Sequence, residues 1–240
     1  MSGHSKWAQI KRKKGITDVK RGKLFSKIAR TIIIAARAGD RNPSFNPKLQ
    51  TAIEYANSVN MPRDVIDRAL VKAAGTDEKT LEEFLYEAYG AEGVALIIEG
   101  VTDNKNRSTQ EIKHLLLEHG GKLANPGTVQ WLFEKRAVLE IPLSVQTLSR
   151  DEIELIAIDS GAESIESDEG SLIVWTKISN AESAKTLFKT KNVMIGEISN
   201  AYTPLHAIKV SQKAEESIAK LIDALEDGND VQNVYTNINV

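Results

Sequence analysis

The sequence predicts an α+β protein: an N-terminal helical bundle followed by two ferredoxin-like α/β domains, the third domain inserted in the second. Three observations carry that expectation. Apolar residues recur at helical spacing as far as Gly75. From Val94 onward, runs of β-formers alternate with capped helical segments. The charge also changes sign: residues 1–75 hold 16 Lys/Arg against 5 Asp/Glu, and residues 76–240 hold 15 against 28.

Residues 1–17 mix basic and small polar side chains around Trp7 and read as an extended arm. Asp18 can cap the helix that follows, its charge suiting the N-terminal dipole. At about 100° per residue, Leu24, Ile28, Ile32 and Ala35 fall in one apolar arc with Phe25 and Ala36 at its edge. Lys20, Lys23, Lys27, Arg30 and Arg37 fall opposite, and Gly39 is a natural stop. Asn46-Pro47 opens a second helix with Leu49, Ile53 and Ala56 inward. Pro62 opens a third, with Ile66, Ala69, Leu70 and Ala73 inward. Together they form a domain at 1–77.

The next segment, Thr80 to Glu87, is polar and is expected to begin helically. Val94 to Val101 reads as a strand, and Ser108 to Glu111 as a capping box opening a helix that ends at Gly120-Gly121. Thr128 to Glu134 alternates as a strand, and a Lys135-Arg136 turn leads to another at Ala137 to Ile141. Further capping boxes are expected at Ser149–Glu152 and Ser179–Glu182, around strands at Glu163–Ser167 and Leu172–Thr176. Strand-like residues follow at Val193–Tyr202, then a helix from Gln212 to Glu226 and a last strand from Val231. This β-α-β-β-α-β rhythm is ferredoxin-like. The expected domains are 78–135 plus 206–240, and an inserted 136–205.

Composition narrows the chemistry. Hydrophobic content is 41% and charged content 27%, ordinary for a globular chain. The absence of cysteine excludes disulfides and thiolate catalysis, and fits a reducing compartment. No apolar run approaches the roughly 20 residues of a membrane span, so a cytoplasmic location without membrane contact is expected. The four histidines (His4, His114, His119, His206) have no metal-ligand spacing, and no phosphate-binding glycine loop occurs. No enzyme activity, metal, cofactor or small-molecule substrate is therefore expected. The acidic pairs Glu82/Glu83, Glu215/Glu216 and Glu226/Asp227 read as solvated helix faces.

The basic N-terminus points elsewhere. Residues 1–41 hold twelve Lys/Arg and two acids, Asp18 and Asp40. Lys6, Lys11, Arg12, Lys13, Lys14, Lys20, Arg21, Lys23, Lys27, Arg30 and Arg37 are candidates for phosphate contact, with Trp7 a candidate for base stacking. Such contacts position a protein without reading sequence. Nucleic acid is the expected partner. The competing readings are an acidic protein, or docking of the basic part on the acidic part of the same chain. Tyr89, Asp103, Asn104, Asn106 and Arg107 form a candidate interdomain polar site.

Several motifs also resemble the YebC/PmpR family: G-H-S-K-W at Gly3–Trp7, K-R-G-K-L-F at Lys20–Phe25, and N-M-P-R-D-V-I-D-R-A at Asn60–Ala69. Others are Y-G-A-E-G-V at Tyr89–Val94, T-D-N-K-N-R at Thr102–Arg107, H-G-G at His119–Gly121 and V-Q-N-V-Y at Val231–Tyr235. They span almost the whole chain in order. The segment Lys122–Gly127 departs from the family's more usual glycine-rich turn by carrying Pro126. The family includes the mitochondrial translational activator of cytochrome oxidase. The resemblance implies a helical domain followed by two α/β domains, the third inserted in the second. It also implies a regulator that binds promoter DNA, or a factor that acts on the ribosome and its RNA at difficult stretches such as consecutive prolines.

Overall fold

The computed structural model describes residues 18–75, 81–168 and 170–238. The arm residues Lys6, Trp7, Lys11, Arg12, Lys13 and Lys14 lie outside that set, as does the side chain of Lys20. The chain divides into two compact units, Met1–Glu134 with Thr203–Val240, and Lys135–Tyr202. The helical bundle and the first α/β domain share the first unit.

The bundle consists of α1 (Asp18–Ala38), α2 (Pro47–Ser58) and α3 (Arg63–Ala74). Ile28, Ile32, Ala35 and Ala36 are buried as the wheel requires, while Leu24 and Phe25 are half-buried. Ile33 is buried as well, because α1 packs on both α2 and α3 and so needs a wider apolar arc. Asn46 caps α2, its Oδ1 accepting from Leu49 N at 3.1 Å. Its amide nitrogen donates to the Ala35 and Asp40 carbonyls, at 2.7 Å each, so one buried side chain closes the α1–α2 corner.

The first α/β domain is a four-stranded sheet in the order β3-β1-β2-β8, covered by two helices. Its strands are β1 (Glu82–Tyr89), β2 (Ala95–Thr102), β3 (Lys122–Leu123) and β8 (Val231–Thr236); its helices are α4 (Lys105–Glu118) and α7 (Gln212–Asp227). The segment expected to start helically is strand β1, in antiparallel register with β2 from Glu82↔Thr102 to Tyr89↔Ala95. Phe84 and Ala88, two residues of one alternating face, enter the core. Cross-strand pairing thus outweighs the helix propensity of the Leu, Glu and Ala residues there. The expected Ser108–Glu111 box is also absent. Asn104 is the cap, accepting from Arg107 N at 3.1 Å, which places Ser108 inside the helix, buried.

The second unit contains β4 (Phe133–Pro142), α5 (Arg150–Asp159), β5 (Ser164–Asp168), β6 (Ser171–Lys177), α6 (Ala181–Thr190) and β7 (Glu197–Pro204). Its sheet runs β5-β6-β4-β7 and its chain order is β-α-β-β-α-β. Leu139, Ile153, Leu172, Val174 and Phe188 form a core of its own. The Ser149–Glu152 capping box is present. At α6, in contrast, Asn180 holds the cap position without a side-chain bond, because Ser179 lies in the preceding 3-10 turn.

Two other local expectations change here. Gln130–Leu132 forms a 3-10 turn rather than a strand. Lys135 and Arg136 lie within the continuous strand β4, with Arg136 opposite Lys177. At the first of these segments Glu87 on β1 accepts, through its carboxylate, from Gly127 N (2.5 Å), Val129 N and Gln130 N (2.9 Å). Those amides are therefore not offered to a neighbouring strand.

Candidate nucleic-acid interface

On α1, Lys23, Lys27 and Arg30 are spaced four and three residues apart and share one stripe. That stripe faces the C-terminal end of α7 and the loop beyond it. Lys23 Nζ donates to Asp227 Oδ1 at 2.6 Å. Lys27 Nζ donates to the Glu226 carbonyl at 2.6 Å and is only 9% exposed. Arg30 reaches Asp230 and the carbonyls of Val101 (3.1 Å) and Asn229 (3.3 Å). Cations thus meet the carbonyl end of a helix, where the peptide dipoles leave partial negative charge. Among its described residues, one side of helix α1 packs in the bundle, and the central part of the other docks on the first α/β domain.

Asp230 is the focus of this contact. It is 5% exposed. One oxygen takes Arg30, and the other accepts from Ser108 Oγ (2.6 Å), Arg107 Nη2 (2.9 Å) and Thr102 Oγ1 (3.0 Å). Burial alone would raise its pKa, but hydrogen bonds from Ser108, Arg30, Arg107 and Thr102 prevail and hold it at about 2. The hydrogen bonds to Asp230 and then to Asp103 raise the pKa of Arg107 further. Gly100 makes the approach of this loop possible: a Cβ there would lie 2.2 Å from the Asp230 carbonyl oxygen and 2.3 Å from the Phe84 ring.

The remaining candidates are distributed as follows. Arg21 is exposed, its guanidinium 5.6 Å from the Phe25 ring centroid. Arg37, in the last turn of α1, approaches the Lys72 carbonyl at 3.4 Å. Asp103, Asn104 and Arg107 gather at the start of α4, where Asp103 accepts from Arg107 at 2.7 Å; Asn106 is exposed in the same turn. Tyr89 does not join them. It lies seven residues along the hairpin from the Glu82↔Thr102 pair, or about 24 Å at roughly 3.4 Å per residue. There it borders a shallow cavity of about 410 Å³ with Gly90, Gly93, Gly120, Gly121 and Lys122.

Asp230, Ser108, Thr102 and Glu87 were absent from the sequence-derived candidates. Asp230 follows the Glu226/Asp227 pair read as a solvated face, and its partners lie more than a hundred residues away in sequence. No local pattern marks it. Asp227 itself is 63% exposed at the side chain yet paired with Lys23. Glu82, from another such pair, sits on a strand and meets Lys105 at 2.6 Å. Among the described residues no helix is long and apolar enough to cross a membrane.

Comparison with known proteins agrees with this architecture. Residues 5–76 match the family model described as the TACO1/YebC protein N-terminal domain, and residues 81–238 match that of the TACO1/YebC second and third domain. A protein of Fervidobacterium nodosum named "probable transcriptional regulatory protein" is 44% identical over 100% of this chain and 94% of its own length. One of the same name from Desulforamulus reducens is 40% identical over 99% and 98%. The crystal structure of a conserved hypothetical protein from Aquifex aeolicus superposes with a TM-score of 0.87 at 38% identity, covering 98% of this chain and 96% of that one. The two domain models account for nearly the whole chain, and the chain belongs to the TACO1/YebC family.

Proposed function

We propose that this protein is a non-catalytic regulator of gene expression that binds nucleic acid, promoter DNA in the first instance, through residues 1–77. The observation that carries this reading is the charge of that region, 16 Lys/Arg against 5 Asp/Glu in residues 1–75, in a family whose relatives bear a transcriptional-regulator name. The docked cations refine the division of labour. Lys23, Lys27 and Arg30 hold α1 on the α/β domain, so phosphate contact falls to Lys6, Lys11, Arg12, Lys13, Lys14 and Lys20, with Arg21 and Arg37 beside them. The non-catalytic part follows the regulatory name of the relatives, and Asp230 and Glu87, whose hydrogen bonds lower their pKa, are poor candidates for a general base near neutrality.

The test is salt-dependent binding of duplex promoter DNA by the full chain and by Lys11→Glu/Arg12→Glu/Lys13→Glu/Lys14→Glu. Loss of four phosphate contacts should reduce the slope of log affinity against log salt by about 3 to 4. An unchanged slope and affinity would remove the arm from the interface. Ribosome co-sedimentation run in parallel decides the target. Strong ribosome association without promoter selectivity would replace DNA with ribosomal RNA.

A further inference from the structure

The turn between α1 and α2 presents an aromatic side chain to solvent in a cationic setting. Phe45 is 74% exposed, at the end of the 3-10 turn Pro43–Phe45. The turn is fixed from several sides. Asp40 accepts from Asn42 N at 2.7 Å, Asn42 accepts from Ser44 N at 3.0 Å, and Phe45 N donates to the Asn42 carbonyl at 3.0 Å. Buried Asn46 ties the next position to Ala35 and Asp40, and Pro43 and Pro47 restrict the backbone on either side. Little conformational entropy remains to be lost when something lands on the ring.

The surroundings select what that something is. Arg41 and Lys48 are exposed on either side of the turn, and neither forms an ion pair among the described residues. Asp40 is the sole acid between Arg37 and Ile53, and its carboxylate is engaged by the Asn42 amide. An exposed aromatic ring on a rigid turn, flanked in sequence by two exposed cations, complements a stacked base flanked by phosphates. A purely apolar partner would leave both cations without compensation.

We propose that Phe45 is a stacking platform for an unpaired base wherever the bound nucleic acid is single-stranded, with Arg41 and Lys48 on the neighbouring phosphates. This rests on the nucleic-acid reading above and adds a second contact, separated from the start of α1 by a helix of 21 residues, about 30 Å at 1.5 Å per residue.

The experiment titrates the full chain, Phe45→Ala, Phe45→Trp and Arg41→Ala/Lys48→Ala against fluorescent oligothymidine, oligouridine and a duplex of the same length. Phe45→Ala should weaken binding of a single-stranded probe about 5- to 150-fold, the loss of one stacked base. It should leave the salt slope unchanged, and Phe45→Trp should restore affinity. Arg41→Ala/Lys48→Ala should flatten the slope by about 1.4 on the single-stranded probes. Wild-type affinity in Phe45→Ala for every probe, with the parent binding normally, overturns the platform and leaves the arm reading standing. Failure of the parent to bind any probe overturns both. A change confined to the sedimentation coefficient of Phe45→Ala would identify the ring as a self-association contact and overturn the proposal too.

Discussion

Asp230 joins the bundle, the start of α4 and the edge strand β8 through a single carboxylate. Its folded pKa of about 2 lies below the ordinary 3.8. Its ionised pairing therefore stabilises fully above about pH 4 and is lost as pH falls toward 2, a total of about 2 kcal/mol. Urea midpoints measured across that range should converge for the parent and Asp230→Asn as the pH drops; a constant gap would contradict the assignment. At neutral pH, Asp230→Ala should cost about 3 kcal/mol, because Arg30 and Arg107 lose a buried counter-charge. None of this was legible in the sequence. The resemblance drew attention to Thr102–Arg107, but the carboxylate that organises that turn lies in an ordinary acidic run near the other end of the chain.

Glu87 sets the conformation of a whole connection between elements. It is 3% exposed and binds the amides of Gly127, Val129 and Gln130. The strand expected at Thr128–Glu134 begins only at Phe133, because the Val129 and Gln130 amides are already bonded to Glu87. Glu87→Gln keeps the shape and weakens the acceptor, so those three amides should exchange with solvent faster, with a stability loss of about 1 to 3 kcal/mol. Unaltered exchange at Val129 would show that the loop holds itself. Helix positions were easier to read where, as at Asn46-Pro47 and Ser149–Glu152, the cap is local. Strand β1 was harder, because its partner strand, not its own composition, makes it a strand.

At the scale of the molecule, the unit Lys135–Tyr202 leaves and re-enters the rest of the chain at adjacent points. Thr203 Oγ1 donates to the Glu134 carbonyl at 3.2 Å, and Leu205 N to the Leu132 carbonyl at 2.9 Å. With its own core, this unit should fold when expressed alone, and joining Glu134 to Thr203 by a short glycine linker should leave the remainder folded. Circular dichroism and calorimetry on both pieces check this; a remainder without a cooperative transition would show the units to be interdependent. The β-α-β-β-α-β order of elements was legible as a rhythm in the sequence, and the charge changes sign near the end of the bundle. That change also concealed a division of roles. The cations on the exposed-looking face of α1 serve the fold, so positive charge alone could not separate residues that hold the chain together from residues left for a partner.

The Arg30–Asp230 contact joins positions 200 apart in sequence, and this sets an order of events during synthesis. The ribosome delivers the basic helix some 200 residues before its counter-charge, which arrives together with the strand that completes the first sheet. At about 5–20 residues per second, the interval is roughly 10 to 40 seconds. For that time Lys23 and Arg30 wait for the carboxylates of Asp227 and Asp230, on a nascent chain held beside the ribosome's own polyanion. Emergence of the segment from Asp227 to Thr236 both finishes the sheet and supplies those two counter-charges, so completion of the sheet and retuning of the helix's charge are one event.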